Sequence, residues 1–364
     1  MERIVKIVLT GGPCAGKTTA LSKIVDKFST IGFSVIVVPE SATLFMSAGV
    51  KFNVNRQAFY NTEKALFNFQ IEMENTFERV AKSSDMPTLI VYDRGLMDIA
   101  AYLTNDMWQS LIDETGYNKI QIRDKRYDGV IHMVTAAKGA EKYYTLENNV
   151  ARTETISDAR LLDDKLIEAW TGHPHLRIIP NEGSFDDKIN AVLSEISCLL
   201  GVPSPIETER KFIVELKGEI PSFSEVEIFQ TYLVSPDGIE QRVRKRGQNN
   251  NFIYFFTQKQ FFSKDSRIET ERQITPAEYL FLLEKADKNK QVIHKLRKCF
   301  IYDNKYFEID TFISPKLNVL LLELEGVKLE DKINFPPFIE VIKEVTDDKN
   351  FYNSSIALIK KNDK

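Results

Sequence analysis

The stretch Gly11-Gly-Pro-Cys-Ala-Gly16-Lys17-Thr18, set directly after the β-branched run Ile4 to Leu9, decides the first half of the chain. It fits the pattern G-x-x-x-x-G-K-[ST]. Glycines let the backbone curl so that successive N–H groups point at phosphate oxygens. Lys17 is placed to reach β and γ phosphates, and the Thr18 hydroxyl to ligate Mg²⁺. A helix starting near Lys17 adds the positive end of its dipole. The expected nucleotide contacts are therefore Gly11, Gly12, Pro13, Cys14, Ala15, Gly16, Lys17, Thr18 and Thr19. A plain glycine-rich turn is the competing reading, and it leaves the flanking strand and helix to chance.

Outward from that loop, short apolar runs alternate with helical periodicity. Phe33 to Val38, Thr88 to Tyr92, Val130 to Val134 and Leu176 to Ile179 read as buried strands. From Arg56 to Lys82, Phe59, Leu66, Phe69, Met73, Phe77 and Val80 recur at helical spacing and predict one apolar face. Continuous apolar strands separated by helices predict a parallel α/β sheet covered on both faces. Two strand ends carry charge. Glu40 follows Val35 to Pro39, and Asp93-Arg94-Gly95 follows Leu89 to Tyr92. In open α/β sheets ligands bind at such carboxyl ends. Asp93 suits a Mg²⁺ ion held through water, Arg94 suits phosphate, and either pair also fits ordinary loop charge. Between Gly139 and Arg160, Lys142, Arg152 and Arg160 lie in a polar stretch that reads equally as a lid or as a solvated loop.

The 364 residues suffice for two domains, and 48 basic against 52 acidic residues give a net charge of −4. No global field favours nucleic acid or an anionic membrane, so any anion site is local. Three scattered cysteines, Cys14, Cys198 and Cys299, argue against a disulfide framework and for a reducing cytoplasm. No signal peptide is read at the N-terminus. No apolar run approaches the roughly 20 residues that span a bilayer. Gly201-Val-Pro-Ser-Pro205 is the expected linker, dividing a nucleotide-binding domain, 1–200, from a second domain, 206–364.

Beyond the linker, strand-like segments follow one another with charges at every second residue. Glu207, Glu209 and Lys211 share a strand face, as do Glu240, Arg242 and Arg244. Lys259 follows, then Arg267, Glu269 and Glu271, then Lys295 and Arg297, Glu308 and Asp310, and Glu323 and Glu325. One solvated face of an antiparallel sheet would produce this pattern. So would the lumen of a barrel whose outside is covered.

The first 200 residues resemble the P-loop family of nicotinamide riboside kinase-like ATPases, which also includes a fly GTP-binding protein needed for TRP-channel translocation. The likeness rests on Gly11 to Thr18, Val-Pro-Glu40-Ser, Asp93-Arg94-Gly95 and Ala-Arg152-Thr-Glu154. In the more distant deoxynucleoside kinases the acid after the second strand is the base, which makes Glu40 the catalytic candidate. Those enzymes carry Glu-Arg-Ser where this chain has Asp-Arg-Gly. The second half resembles the CYTH domain of the triphosphate tunnel metalloenzymes, by Glu207-x-Glu209-x-Lys211 and the later Arg-x-Arg, Arg-x-Glu-x-Glu, Lys-x-Arg and Glu-x-Glu elements in family order.

That second resemblance implies a closed, eight-stranded antiparallel tunnel. Lys211, Arg242, Arg244, Lys259, Arg267, Lys295 and Arg297 would grip a triphosphate, with Lys211 also catalytic. Glu207, Glu209, Glu323 and Glu325 would hold Mg²⁺ or Mn²⁺ in the tunnel, as Thr18 and Asp93 would beside the phosphate loop. The whole suggests an ATP- or GTP-binding protein with a metal-dependent triphosphatase acting on an inorganic or organic triphosphate. The alternative is a regulatory GTP-binding protein whose tunnel recognises a phosphorylated ligand, such as a phosphoinositide headgroup, in trafficking.

Overall fold

The computed structural model describes residues 4–52, 54–144, 155–202, 209–236, 239–263, 266–325, 327 and 330–359. The chain divides into two compact units, Met1–Leu200 and Gly201–Lys364. Arg152, Glu207 and the expected linker from Pro203 onward lie outside the described residues. The side chains of Arg267 and Glu269 do as well.

The first unit is built on β1 (Ile4–Gly11), β2 (Ser34–Val38), β3 (Thr88–Asp93), β4 (Gly129–Met133) and β5 (Leu176–Ile179). They form one parallel sheet in the order β2-β3-β1-β4-β5. Ile7, Val8 and Leu9 on the central strand are fully buried, as a strand covered on both faces requires. The covering helices include α1 (Lys17–Thr30), α2 (Ser41–Ser47), α3 (Arg56–Lys82), α4 (Asn105–Thr115), α5 (Ile156–Trp170) and α6 (Phe185–Leu200). On α1 the inward stripe is Ala20, Ile24 and Phe28, at steps of four. Full burial of a side chain such as Phe28 contributes about 2–3 kcal/mol.

Helix α3 starts at Asn55, whose side chain accepts from the Ala58 N–H, and it departs from the expected stripe. Phe69 and Val80 are exposed, whereas Glu63, Leu66, Phe67, Gln70, Ile71 and Glu74 are buried. The polar members of that face explain the rotation. Gln70 bonds Ser41, Glu74 and the Arg94 carbonyl, and Glu74 bonds Arg126 and Tyr127. Satisfied polar groups, and not the apolar count alone, set which side faces inward.

The second unit contains β6 (Glu209–Leu216), β7 (Ser224–Leu233), β8 (Ile239–Gln248), β9 (Asn251–Ser263), β10 (Ser266–Ile274), α7 (Pro276–Leu283), β11 (Ile293–Tyr302), β12 (Lys305–Ser314), β13 (Leu320–Glu325), β14 (Ile339–Glu344) and α8 (Asn353–Ile356). The strands form one antiparallel sheet in the order β10-β9-β8-β7-β11-β12-β13-β6-β14. Nine strands stand where the resemblance implies eight, because β14 adds to the outer edge of β6. Among the described residues the ladder ends at β10 and β14 without pairing them. The sheet nevertheless curls. Tyr232 on β7 feels the charge of Lys211 on β6, although three strands separate them in the ladder. Strands about 4.8 Å apart would hold those groups well beyond such range if the sheet were flat.

Both ends of the inner face are apolar. Tyr232, Ile293, Phe312 and Leu321 pack with Val345, Ile356 and Ala357 from the C-terminal segment. Val226, Ile228 and Cys299 pack with Tyr306 at the other end. The charged positions lie between them.

Candidate functional site

The phosphate loop leaves β1 through Gly11, where a Cβ would sit 2.2 Å from the Met133 carbonyl oxygen, so only glycine fits. Gly16 precedes α1 with φ 93°, the left-handed region glycine enters without strain. Pro13 is anchored by the Thr135 hydroxyl, which donates to its carbonyl at 2.5 Å. Gly12 N–H donates to the Asp163 carboxylate at 3.0 Å. That carboxylate also accepts from Thr135 N–H and Lys138 Nζ and lies 3.0 Å from His132 Nε2. Against the upward push of burial, His132 and Lys138 hold Asp163 well below the usual carboxylate range.

Glu40, Asp93 and Arg94 come together as the strand-end reading expects. Arg94 Nε donates to Glu40 Oε1 at 2.5 Å, and Glu40 also accepts from the Thr43 hydroxyl. Burial raises the Glu40 carboxyl, but Arg94, Lys17 and Thr43 outweigh it and hold it at about 2. Arg94 adopts φ 73°, an uncommon conformation for a side chain with a Cβ. Its turn is fixed by Asp98, which accepts from Gly95 N–H, Thr10 Oγ1 and Trp170 Nε1. Burial pushes Asp93 up and Lys17 down, while each charge partly offsets the other's shift. Asp93 Oδ1 is buried without a hydrogen-bond partner. Together with the exposed hydroxyl-bearing Thr18, that orphaned oxygen fits a hydrated hard cation such as Mg²⁺.

In the expected lid, Lys142 lies 4.8 Å from the Tyr143 ring centroid. Arg160 donates to the Ala137 carbonyl and pairs with Glu141. These two bases are engaged locally in this conformation.

In the second unit the middle of the charged face is buried. Asp310 is fully buried, and Lys295, Glu308, Glu323, Lys211, Arg297 and Arg242 expose 2–8% of their surface. These seven side chains are out of bulk solvent, whereas Glu209, Glu240, Arg244, Lys259 and Glu271 are half-buried. Arg297 donates to Asp310 at 2.7 Å through both Nε and NH2, and it pairs with Glu308 and Glu323. Lys295 pairs with Asp310, and Lys211 lies 2.9 Å from Glu323 and 3.4 Å from Glu209. Arg244 lies 3.5 Å from Glu271, whose carboxylate accepts from the Thr257 hydroxyl. Strand register explains these meetings, since Arg297 sits opposite Asp310, Glu308 opposite Glu323, and Glu323 opposite Lys211.

Against burial, Glu323 and Glu209 hold Lys211 above the ordinary lysine range. Burial, helped by Glu325 and Glu323, pushes Glu308 to about 7 despite Arg297. Glu323 is the opposite case: against burial, Lys211, Lys295 and Arg297 hold it well below the usual carboxylate range. Among the described residues no three His, Cys, Asp or Glu side chains form a ready cation cage. Glu325 is exposed at the strand end, and Lys259 pairs in register with Glu240.

Sequence reasoning missed Arg246, which is 1% exposed and continues the alternation Arg242-x-Arg244-x-Arg246. The period-2 signal was present one step further along. It also missed Asp163, one of two adjacent acids in α5, and Asp98, neither of which any spacing pattern marks.

A protein-family model described as an AAA domain matches residues 6–188. The inorganic triphosphatase of Nitrosomonas europaea is 32% identical over 155 residues, covering 42% of this chain and 97% of that protein. A crystal structure of an inorganic triphosphatase shares 28% identity, covers 43% of this chain and 96% of that one, and gives a TM-score of 0.32. A solved protein from Pyrococcus horikoshii OT3 shares 22% identity over 34% of this chain and 80% of that one, with a TM-score of 0.26. Among the described residues no helix is long and apolar enough to cross a membrane.

Proposed function

The chain belongs to the AAA-domain family and to the family of the Nitrosomonas europaea inorganic triphosphatase, and from that premise we propose that it joins two phosphate-handling sites. The first unit binds a nucleoside triphosphate, ATP or GTP, at Gly11 to Thr19. The second binds a triphosphate on its buried charged face and hydrolyses a phosphoanhydride bond. The observation that carries the second half is the buried network of Arg297, Lys295 and Lys211 with Asp310, Glu308 and Glu323.

A buried charge cluster of this size is a poor device for stability, because desolvation cancels most of the pair energy. It suits a site where an incoming polyphosphate replaces carboxylates as the partner of the bases. Lys211, Arg242, Arg244, Lys259, Arg267, Lys295 and Arg297 would then grip phosphate oxygens, with Arg246 beside them. Mg²⁺ or Mn²⁺ on Glu209, Glu323 and Glu325, joined by Glu207, would supply charge neutralisation at the reacting phosphate. Lys211, tied to Glu209 and Glu323, would hold the leaving phosphate.

For the first unit, Glu40 has two readings: base for an acceptor hydroxyl, or counter-ion of Arg94. Its pKa near 2 and its 2.5 Å bond to Arg94 favour the counter-ion. A carboxylate that weakly basic takes a proton poorly at neutral pH. The first unit then acts as a nucleotide-binding or nucleotide-hydrolysing domain, with Asp93 and Thr18 toward the cation. The test is phosphate release from inorganic triphosphate, ATP and GTP with Mg²⁺ or Mn²⁺. Cleavage of inorganic triphosphate that survives Lys17→Ala supports two separate sites; absence of any cleavage rejects the hydrolase.

A further inference from the structure

A glycine-rich loop loses much backbone entropy on ordering, so a phosphate loop that keeps its curl needs a hold from the surrounding fold. Here one side chain supplies it from behind. Asp163 on α5 is fully buried, and its Oδ1 stands where three segments meet. It accepts from Gly12 N–H and Thr135 N–H, both at 3.0 Å, and lies 3.0 Å from His132 Nε2. Oδ2 accepts from Lys138 Nζ at 2.9 Å, and Lys138 also reaches Asp164 at 2.6 Å.

The approach to the loop is close. A Cβ on Gly12 would fall 2.7 Å from Asp163 Oδ1 and 3.0 Å from Asp163 Cβ. Gly12 keeps a φ outside the left-handed region, so the carboxylate's nearness, and not the backbone, is what calls for glycine there. Thr135 repeats the hold one residue on, since its hydroxyl donates to the Pro13 carbonyl. Arg160, about one turn earlier on α5, donates to the Ala137 carbonyl at 2.6 Å. The start of the phosphate loop, the turn after β4 and α5 thus form one hydrogen-bonded block.

Charge and geometry pull apart at this point. A carboxylate beneath a site for a polyanion repels the ligand, so its negative charge is not what binding requires. What it supplies is an acceptor at a fixed point, without which the buried Gly12 N–H is left unpaired. We propose that Asp163 is a positioning residue for the phosphate loop, acting through Gly12 N–H to hold the shape that takes a nucleoside triphosphate. The proposal rests on the phosphate-loop reading of the first unit.

The test titrates the full chain with ATP and GTP in Mg²⁺, reading the affinity that Lys17→Ala removes, beside the melting temperature. Asp163→Ala is expected to weaken that affinity roughly tenfold, the scale of one buried N–H left unpaired. Asp163→Asn, with its oxygen turned to the three donors at Oδ1, drops the charge and keeps the acceptor. It should bind as tightly as wild type or tighter, even where it melts lower for loss of the Lys138 pair. Gly12→Ala, which displaces the carboxylate, should weaken binding about as much as Asp163→Ala. Combining the two should weaken it no further than the worse single change. Should Asp163→Ala not fold, the contrast of Gly12→Ala with Asp163→Asn decides. Affinity unchanged in Asp163→Ala or Gly12→Ala, affinity lost in Asp163→Asn, or additive losses in the combined variant each overturn the positioning role. Wild-type nucleotide affinity in Lys17→Ala overturns the phosphate loop itself, and the proposal with it.

Discussion

Lys17 carries the phosphate loop's role at the scale of single residues. It is held among Asp93, Glu40 and Arg94, and burial and Arg94 already lower its pKa, so a nucleotide's phosphates would be its natural counter-charge. Lys17→Ala should weaken nucleoside triphosphate binding by about 2 kcal/mol or more, the scale of a lost charge-assisted contact. Calorimetric titration checks this, and an unchanged affinity removes the assignment. Most of this site could be read from the chain because Gly11, Gly16 and Lys17 fill backbone and charge requirements that few other residues meet. Asp163 could not. Its hold on Gly12 spans 151 positions, and only the pairing of β1 with β4 and the packing of α5 bring them together.

At the scale of elements, the strands were legible because buried parallel strands are plain apolar runs. Leu176–Ile179 was expected with the bounds it has, and the others within two residues. Helix α3 was placed correctly but turned, since its inward face includes polar Gln70 and Glu74 that answer partners on other elements. The same face carries Glu63, which burial alone pushes to about 7. Folding raises this carboxyl above its unfolded pKa, so the neutral acid is favoured in the folded state. Stability is therefore retained below the unfolded value near 4.5 and lost as pH rises through about 7. Glu63→Gln should consequently stabilise the protein at pH 8 by on the order of 2–3 kcal/mol and change little at pH 4. Melting curves at both pH values decide it, and an equal effect at both would show that Glu63 does not titrate on folding.

At the scale of the whole molecule, the change of grammar after residue 200 was the clearest signal: apolar runs give way to charges at every second position. What the pattern could not say was whether that charged face met solvent or protein. The answer came from curvature, which brings β7 and β6 near each other and depends on packing at both ends of the face. The segment 336–364 was unreadable for the same reason, since β14 and Ala357 acquire meaning only against β6 and Tyr232. Each unit has its own sheet and core, so fragments cut within Gly201 to Pro205 should each fold and melt cooperatively. Insoluble fragments, with no proteolytic cleavage near that segment, would argue for one fused domain.

On the proposed function, the charged face of the second unit cleaves a triphosphate with the help of a divalent cation. Phosphate release from inorganic triphosphate by the full chain tests it most directly, in wild type, Glu209→Gln and Arg244→Ala, with Mg²⁺ or Mn²⁺ and then with chelator. The expected result is cation-dependent release in wild type, loss of about a hundredfold or more in Glu209→Gln at unchanged melting temperature, and a raised KM in Arg244→Ala. Equal binding of triphosphate in chelator, with no phosphate released under any condition, would contradict it and leave a protein that grips its ligand without cleaving it.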